Sequence, residues 1–437
     1  MIVTIIIACL TVLLMVSAVL VKPYISIKKF SIGLYWIVCL LGAVCMLVFN
    51  RISLAEVLSG ITANTSVNPL KILTLFLSMT LLSIYLGDAG FFNYIADKVF
   101  LKTKGSQLKL FLLLYLIVSI LTIFTSNDII ILTFTPPICI FAKKVKISPL
   151  PFLLGEFVAA NTWSMTLIVG NPTNIYLAGS AGITFTEYFS VMFLPSVLGG
   201  LTGLLMVFLL FRKSLLSPIP ENNEEKELKK NLIKHKTPLI VAVVHLLICI
   251  ILLAVSDFIG IEMWAVCLTV ALSMTAFDLV YDIIVEHTAV PILKSIKKEP
   301  YELIPFVLSM FVIVLALKNG GVTDFLSDVL ITKKPNDAIT FGVLSALSSN
   351  LFNNIPMSVL FEKIVNGNSI GALYGTVIGS NVGAFISPVG ALAGIMWSKI
   401  LSRYGEHLSF VKFTLYGTAI AIPTLFASIG GLLLMLI

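Results

Sequence analysis

The stretch NTWSMTLIVGNPTN, residues 161–174, interrupts a long apolar segment with asparagine, glycine and proline. A related stretch, NVGAFISPVGALAG, occupies residues 381–394. In each stretch a glycine, Gly170 or Gly390, follows the first asparagine by nine residues. An unpaired backbone amide or carbonyl in hydrocarbon costs several kcal/mol, so an interrupted spanning helix must line something polar. Two such segments at matching places in two halves indicate where a ligand binds.

The composition is that of a protein embedded in a membrane. The 437 residues are 58% hydrophobic and 12% charged, with a mean hydropathy of +1.05. Soluble domains carry about 25% charged residues, so we predict an all-α integral membrane protein. The first apolar run, 2–21, lacks a basic n-region and a cleavage site, which favours a spanning helix over a signal peptide. The six cysteines lie in or beside apolar runs, which favours free thiols and predicts no metal site.

The apolar runs predict about ten spanning helices and two helical hairpins. The spanning helices are expected at 2–21, 31–49, 70–86, 152–178, 189–211, 238–256, 262–281, 301–317, 371–397 and 410–436. Two further apolar stretches, 108–142 and 337–361, break at the polar sequences TSND (125–128) and SSNLFNN (348–354). We therefore expect each of them to form a helix, a polar tip and a second helix.

Loop charges predict the orientation of these segments. Lysines flank the first hairpin on both sides, so both of its ends are expected in the cytoplasm. The second hairpin is flanked by a slightly acidic mixture, which places its ends outside. Carried along the chain, this rule puts the strongly basic loops inside and both termini outside. The expected location is the plasma membrane, with several passes.

The chain is expected to contain two inverted-topology repeats. We assign residues 1–49 to N-terminal scaffold helices, 50–211 to the first repeat, 212–237 to a charged cytoplasmic linker, and 238–437 to further scaffold helices and the second repeat. Besides the two interrupted segments, a second internal similarity supports this division, because GFFNYIADKV at 90–99 resembles GVTDFLSDVL at 321–330. Each of these two sequences precedes its hairpin, and the opposite lysine bias of the hairpins makes the repeats inverted.

Five short motifs carry a resemblance to a known family. They are SND followed by TP (126–136), GNPTNI (170–175), FTEYF (185–189), NNIP (353–356) and PVGALAGIMW (388–397). Together they resemble the ion transporter superfamily, and within it the arsenite permease and Na⁺/H⁺ antiporter group of the citrate-transporter-like arm. The resemblance covers roughly residues 30–437. It implies an elevator-type secondary transporter, often a homodimer, with a scaffold and a mobile domain that holds both hairpins.

The tips depart from one branch of that superfamily. Its dicarboxylate carriers typically have Ser-Asn-Thr at both tips, whereas this chain has Ser126-Asn127-Asp128 and Asn353-Asn354. The carboxylate of Asp128 would repel an anionic substrate. The departure therefore favours a cargo other than di- and tricarboxylates.

Both tips and both interruptions are expected to converge where the broken helices end. Half-helix N-termini there offer N–H groups to an anion or a polar solute, and C-terminal ends offer carbonyls to a cation. An alternative is that the polar residues only cap broken helices or join packed helices. The predicted substrate- or ion-binding residues are Ser126, Asn127, Asp128, Asn161, Thr162, Ser164, Gly170, Asn171, Thr173, Asn174, Asn353, Asn354, Ser380, Asn381, Ser387 and Gly390.

Asp128 is the predicted proton-coupling residue. An acidic group at membrane depth costs at least about 2.5–3.5 kcal/mol and is functional by default, although a structural, amide-paired carboxyl is the alternative. Glu156 is a second candidate for proton coupling. It lies five residues before Asn161, which is about 7–8 Å along a helix, and it is either buried or solvated near the cytoplasmic interface. Cys139 in the first hairpin could meet a thiophilic solute or be a packed core thiol.

No enzyme motif is present in the sequence, so we expect a transporter rather than an enzyme. The leading hypothesis is a proton-coupled permease that extrudes arsenite or antimonite. The alternatives are a Na⁺/H⁺ antiporter, a dicarboxylate, citrate or sulfate symporter, and, from a different class, a passive channel or a non-transporting receptor. No cofactor is expected beyond a bound Na⁺ or H⁺. The expected partners are the small solute, the bilayer, a second copy of the chain and a separate ATPase subunit; no nucleic acid is expected.

Overall fold

A computed structural model describes residues 2–21, 24–27, 30–63, 68–103, 105–220, 236–331, 336–365 and 369–436. These residues form twenty α-helices and one small antiparallel sheet. The helices of the first half are α1 (Ile2–Val21), α2 (Leu34–Val48), α3 (Leu54–Thr62), α4 (Pro69–Asp88), α5 (Phe91–Lys102), α6 (Gln107–Phe124), α7 (Asn127–Lys144), α8 (Leu150–Trp163), α9 (Pro172–Ser180) and α10 (Phe185–Leu215). Those of the second half are α11 (Lys236–Ile259), α12 (Met263–Tyr281), α13 (Val290–Ile296), α14 (Leu303–Asn319), α15 (Val322–Leu330), α16 (Asn336–Phe352), α17 (Asn354–Val365), α18 (Ile370–Gly383), α19 (Leu392–Arg403) and α20 (Phe410–Met435).

The sheet precedes α2. Strand β1 (Tyr24–Ile27) pairs with β2 (Phe30–Gly33), and Tyr24 lies opposite Gly33. The segment predicted as a span over 31–49 therefore starts as a strand and becomes helical at Leu34. Its β-branched and aromatic residues suit a strand as well as an apolar helix, which is why hydropathy did not separate the two.

Six helices of the described chain are long and apolar enough to cross a membrane. They are Pro69–Asp88, Gln107–Phe124, Phe185–Leu215, Lys236–Ser256, Met263–Val285 and Phe410–Met435. Counting α14 and α15 together as one bent span gives seven, and the angle between that pair is 76°. The protein is therefore a multi-pass, almost entirely helical membrane protein. The predicted total of about ten crossings stays a prediction.

The core is built from long helices that pack pairwise. Helix α10 packs along α20, α8 lies against α6 and α10, and α16 packs along α18. Helix α4 contacts α11 and α12, while α2 contacts α1 and α14. The two broken segments, α8–α9 and α18–α19, lie within this core, because α18 contacts both α8 and α9.

The element order of the first half recurs in the second. A short helix, α5 or α15, precedes two helices that meet at a polar break, then a broken segment, then one long helix. Both short helices follow a glycine in the left-handed region, Gly90 (φ 87°) and Gly321 (φ 73°). That conformation favours glycine, so the two similar sequences, 90–99 and 321–330, begin with the same kind of turn. The inverted relation of the halves and the domain boundaries stay predictions. Residues 221–235 of the predicted linker lie outside the described residues.

Candidate functional site

The first broken segment closes tightly on itself. Helix α8 ends at Trp163, a single 3₁₀ turn covers Ile168–Gly170, and α9 begins at Pro172. A Cβ on Gly170 would lie 2.2 Å from the carbonyl oxygen of Ser164. Only glycine lets the chain pass so near the end of α8, which gives this position its physical role.

The second broken segment repeats that geometry. Helix α18 ends at Gly383 and α19 begins at Leu392. A Cβ on Gly390 would lie 2.7 Å from the carbonyl oxygen of Gly383. The glycine that follows each asparagine by nine residues therefore occupies the same kind of close approach in both segments.

Buried hydrogen bonds join the two interruptions directly. The Asn381 Oδ1 accepts from Asn171 Nδ2 (2.9 Å) and from Ser164 Oγ (3.0 Å). The Asn381 Nδ2 donates to Asn174 Oδ1 at 2.7 Å. All four side chains are buried. The residues that the sequence singled out in the two halves thus come together at one place, and we call these four residues the amide cluster.

The hydroxyls next to the amide cluster are also engaged. Thr173 Oγ1 and Ser380 Oγ lie 3.1 Å apart across the same junction. The Thr162 hydroxyl donates to the carbonyl of Val158, one turn back in its own helix. In this conformation these side chains form hydrogen bonds with one another and with the backbone. That is the arrangement expected if such residues join packed helices instead of binding a ligand.

The first tip carries polar atoms that lack a partner. Asn127 Nδ2 donates to Asn161 Oδ1 at 3.1 Å, and Asn161 Nδ2 donates to the carbonyl of Phe157. Asn127 Oδ1 and Ser126 Oγ, however, are buried and form no hydrogen bond with any described residue. Leaving a buried acceptor or hydroxyl unpaired costs about 1–3 kcal/mol, so such atoms point to a bound ligand or water.

The second tip is held by its own broken segment. Asn353 adopts a left-handed backbone (φ 71°), and its Nδ2 donates to the carbonyl of Val389 at 3.1 Å. The backbone N–H of Asn354 donates to the carbonyl of Gly390, also at 3.1 Å. A non-glycine residue in this region of φ is uncommon and marks a constrained position. Both tip asparagines therefore serve to anchor the tip in this conformation.

Asn350 is a member of the site that the sequence reasoning missed. Its Oδ1 accepts from Ser387 Oγ at 2.6 Å, and its Nδ2 donates to the carbonyl of Gly383 at 2.9 Å. It lies in the polar run 348–354, and that polarity in an apolar helix was the available signal. Ser387, which was predicted, is thus attached to α16 through Asn350.

A large cavity lies between the first tip and a group of basic residues. Its volume is about 1490 Å³, and Asp128 lies in its wall. Its other end, which we call the basic end, is lined by basic residues that belong to predicted cytoplasmic loops: Lys144, Lys297, Lys298 and Arg403. Asp128 is half-buried, and no hydrogen bond or ion pair joins it to another described residue. Of the predicted binding residues, Asp128 is the one that the cavity reaches.

Glu156 lies away from this cavity and is buried. The Thr135 hydroxyl lies 3.0 and 3.1 Å from its two carboxylate oxygens. The same hydroxyl also lies 2.6 Å from the carbonyl oxygen of Ile131. Of the two situations that the sequence left open for Glu156, the structure has the buried one. Cys139 is also buried, and it lies eleven residues from Asp128, about 16 Å along a helix.

Three acidic residues line the basic end of the cavity: Asp88, Glu299 and Glu302. Glu299 and Glu302 were missed, because the surrounding run KSIKKEPYE (294–302) has the composition of a solvated loop. Glu299 is only 7% exposed, and its burial raises the pKa of its carboxyl to about 8. Spacing and composition gave no signal for that burial.

Comparisons with known proteins agree with this architecture. The family model for citrate transporters matches residues 31–372. An arsenical pump membrane protein of Escherichia coli is 27% identical over 421 residues, which cover 93% of this chain and 94% of the relative. The arsenical pump membrane protein of Yersinia enterocolitica is 27% identical over 83% of this chain and 85% of its own length. The predicted resemblance to the ion transporter superfamily and its arsenite-permease arm is confirmed. The chain is a membrane transporter, and it belongs to the citrate transporter family.

Proposed function

We propose that this protein is a proton-coupled permease that exports a small inorganic solute, namely arsenite or antimonite. The observation that carries the proposal is the first tip. There Asp128 lies in the wall of a cavity of about 1490 Å³. It directly follows Ser126 and Asn127 in the chain, whose buried Oγ and Oδ1 atoms have no partner among the described residues. Arsenite is largely uncharged at neutral pH, so the Asp128 carboxylate does not repel it. Its hydroxyl groups can donate to Asn127 Oδ1 and exchange hydrogen bonds with Ser126 Oγ.

The names of the relatives support the choice of cargo. The proteins from Escherichia coli and Yersinia enterocolitica are named arsenical pump membrane proteins, and they align with most of this chain. The family as a whole takes its name from citrate. The acidic first tip favours the arsenical cargo over citrate, because a carboxylate beside the binding groups opposes a multiply charged anion.

Two carboxyl groups are suited to couple transport to protons. Asp128 lies at the cavity, and the charge on it must change when a proton binds there. Glu156 is buried away from the cavity, against Thr135. A carboxyl group that accepts from a hydroxyl when ionised and donates to it when protonated can hold or release a proton without losing its partner. In our proposal Asp128 exchanges its proton as cargo arrives, and Glu156 is the second proton site.

The proposal includes the larger assembly implied by the family resemblance. We assign an elevator motion to a mobile domain that contains the amide cluster, and a homodimer to the scaffold helices. The two repeats are inverted, both termini face outward, and the basic end of the cavity faces the cytoplasm. The polar residues named at the tips and interruptions form the wall of the cargo site when the domain moves. A separate ATPase subunit is a further partner in this proposal.

Arsenite flux in everted membrane vesicles tests the function. Vesicles that contain the full-length protein are given an acidic interior, and accumulated arsenic is measured by elemental analysis. We expect uptake that collapses when a protonophore removes the pH gradient. Protein-free vesicles provide the background.

Other outcomes would assign a different transport class. Alkalinisation that depends on Na⁺ without arsenite flux would replace the proposal with a Na⁺/H⁺ antiporter. Currents driven by citrate or sulfate would replace it with a carboxylate or sulfate symporter. Arsenite flux that simply follows its own gradient, unchanged by the protonophore, would indicate a passive channel.

A further inference from the structure

The carboxylates at the basic end of the cavity differ in how they are held. Asp88 forms an ion pair with Lys298, and its Oδ2 accepts from Ser295 Oγ at 2.6 Å. Both of its oxygens are therefore engaged. Asp88 thus already has a cation and a hydroxyl donor within the protein.

Glu302 is engaged in the same way by neutral donors. Its Oε1 accepts from the backbone N–H of Gly33 at 3.0 Å, and its Oε2 accepts from the Tyr35 hydroxyl at 2.9 Å. The contact ties the start of α14 to the end of the small sheet. Glu302 therefore has a structural role in joining two elements at the cavity wall.

Glu299 stands apart from these two acids. It is 7% exposed, yet neither carboxylate oxygen forms a hydrogen bond with a described residue. An ionised carboxylate buried without a partner costs several kcal/mol, so the group either neutralises or binds something from the cavity that it lines. A proton is the smallest ligand that removes this cost.

The charged and titratable groups around Glu299 agree with a neutral carboxyl. Tyr85 of α4 and Tyr301 of its own segment interact with it electrostatically. Of the basic residues at this end of the cavity, Lys298 is paired with Asp88. Lys144, Lys297 and Arg403 also line it, and none of them donates a hydrogen bond to Glu299. The acidic residues Asp88 and Glu302 line the same end of the cavity, where a further negative charge is unfavourable, and Asp278 of α12 interacts with Tyr85.

We propose that Glu299 is a proton-binding residue of the cavity, through which protons pass between the basic end and the first tip. The inference rests on the proposed function and deepens it, because it adds an intake site to the coupling site at Asp128. Both residues line the same cavity, so water in it can connect them. Burial raises the pKa of Glu299 to about 8, so it holds a proton at neutral pH and releases it within a physiological range.

Infrared difference spectroscopy on the full-length protein tests proton binding without any transport. The carboxylic C=O band of protonated acids is recorded while the pH is stepped from about 6 to about 9, a range that brackets the pKa of about 8 of Glu299. We expect a band that disappears with rising pH in the wild type and in Glu302→Gln, and that is absent in Glu299→Gln. The Glu302→Gln protein is the matched control, since it makes the same chemical change in the same cavity.

Two spectroscopic results would overturn the inference. One is a spectrum of Glu299→Gln that is identical to that of the wild type across the titration. The other is a band that responds to added Na⁺ at fixed pH, which would identify a cation site instead. Retained thermal unfolding of the variant in detergent establishes that it is folded.

Flux measurements separate this inference from the proposed function. In everted vesicles, Glu299→Gln is expected to lower the arsenite uptake driven by a pH gradient by about a hundredfold, the low end of what one proton-transfer group contributes. Exchange of labelled arsenite at equal pH should persist. If the wild type is coupled and Glu299→Gln equals it, the inference fails and the function stands. If the wild type moves no arsenite, the function fails, and the infrared titration still decides whether Glu299 binds a proton.

Discussion

The Asn127 side-chain amide donates to Asn161 Oδ1 across 3.1 Å, which fastens the first tip to the first broken segment one residue away from Asp128. The contact leaves Asn127 Oδ1 without a partner. The tip is therefore fixed in place by one end of the amide while the other end stays available. In the proposed function, a fixed tip with an available acceptor would serve as a preorganised binding group, because ligand binding then costs less conformational entropy.

Replacing Asp128 by Asn should abolish proton-coupled arsenite flux while leaving the protein folded. The substitution keeps the size of the side chain and removes the ionisable group. We expect at least about a hundredfold loss of uptake driven by a pH gradient, as for other essential proton-transfer groups. Asp324→Asn, the same change at an exposed residue of α15, is the control and should keep full flux. An unaltered pH dependence in Asp128→Asn would remove this residue from the coupling mechanism.

Replacing Asn381 by Ala should destabilise the protein. The change leaves Asn171 Nδ2 and Asn174 Oδ1 buried without their partner, and each unsatisfied group costs about 1–3 kcal/mol. A clear drop in the unfolding temperature in detergent is expected. Asn93→Ala, at an exposed asparagine of α5, should unfold at the wild-type temperature. Equal melting of the two variants would mean that the amide cluster contributes little to stability.

Replacing Gly170 by Ala should impair folding. The new methyl group would sit 2.2 Å from the Ser164 carbonyl oxygen, which is backbone and cannot rotate away. We expect much less folded protein in the membrane, measured by fluorescence-detected size exclusion. Gly430→Ala in α20 is the control, because nothing lies within 4 Å of its new Cβ and alanine favours a helix by about 1 kcal/mol. Normal yield of Gly170→Ala would contradict the close approach described for this turn.

The stability of the wild type should fall relative to Glu299→Gln as the pH rises. The carboxyl has its ordinary pKa of 4.5 in the unfolded chain, and burial raises the pKa in the folded protein to about 8. The folded state thus binds more protons between these values, so the contribution is fully present below pH 4.5 and is lost as the pH passes through about 8. Each pKa unit corresponds to about 1.4 kcal/mol, which sets a scale of a few kcal/mol.

Unfolding temperatures at pH 5 and at pH 8.5, about the limits of the window, provide the measurement. The difference between the two proteins should grow toward the higher pH in favour of Glu299→Gln. Glu302→Gln should show no such growth in its favour, because that carboxylate has donors on both oxygens. A difference that is independent of pH would mean that Glu299 is ionised in both states.

Much of the fold could be predicted from patterns in the sequence. Apolar runs predicted the helices, and polar breaks in them predicted where α6 ends and α7 begins. The interruptions at 161–174 and 381–394 could be predicted because glycine, proline and asparagine are rare in the middle of a spanning helix. Their repetition at equal spacing also indicated that they have a common geometry, which the close approaches at Gly170 and Gly390 supply.

The rest depends on contacts between distant residues. The sequence does not show that Asn381 forms hydrogen bonds with Asn171 and Asn174. An asparagine that joins two helices and one that binds a ligand look the same in a sequence. Glu299 shows the opposite case. Its lysine-rich surroundings predict exposure to solvent, yet Glu299 is buried and interacts with Tyr85 of α4. The binding roles of the tip residues stay predictions, and the variants above are their test.

The amide cluster also constrains how the molecule can move. Sliding the two broken segments past each other would strip partners from buried side chains of Ser164, Asn171, Asn174 and Asn381 at once. Such a step is far more costly than displacing the segments together against the helices outside them. Hydrogen bonds therefore hold the two halves of the chain together at their centre, and we expect any opening toward the other side of the membrane to occur outside the amide cluster.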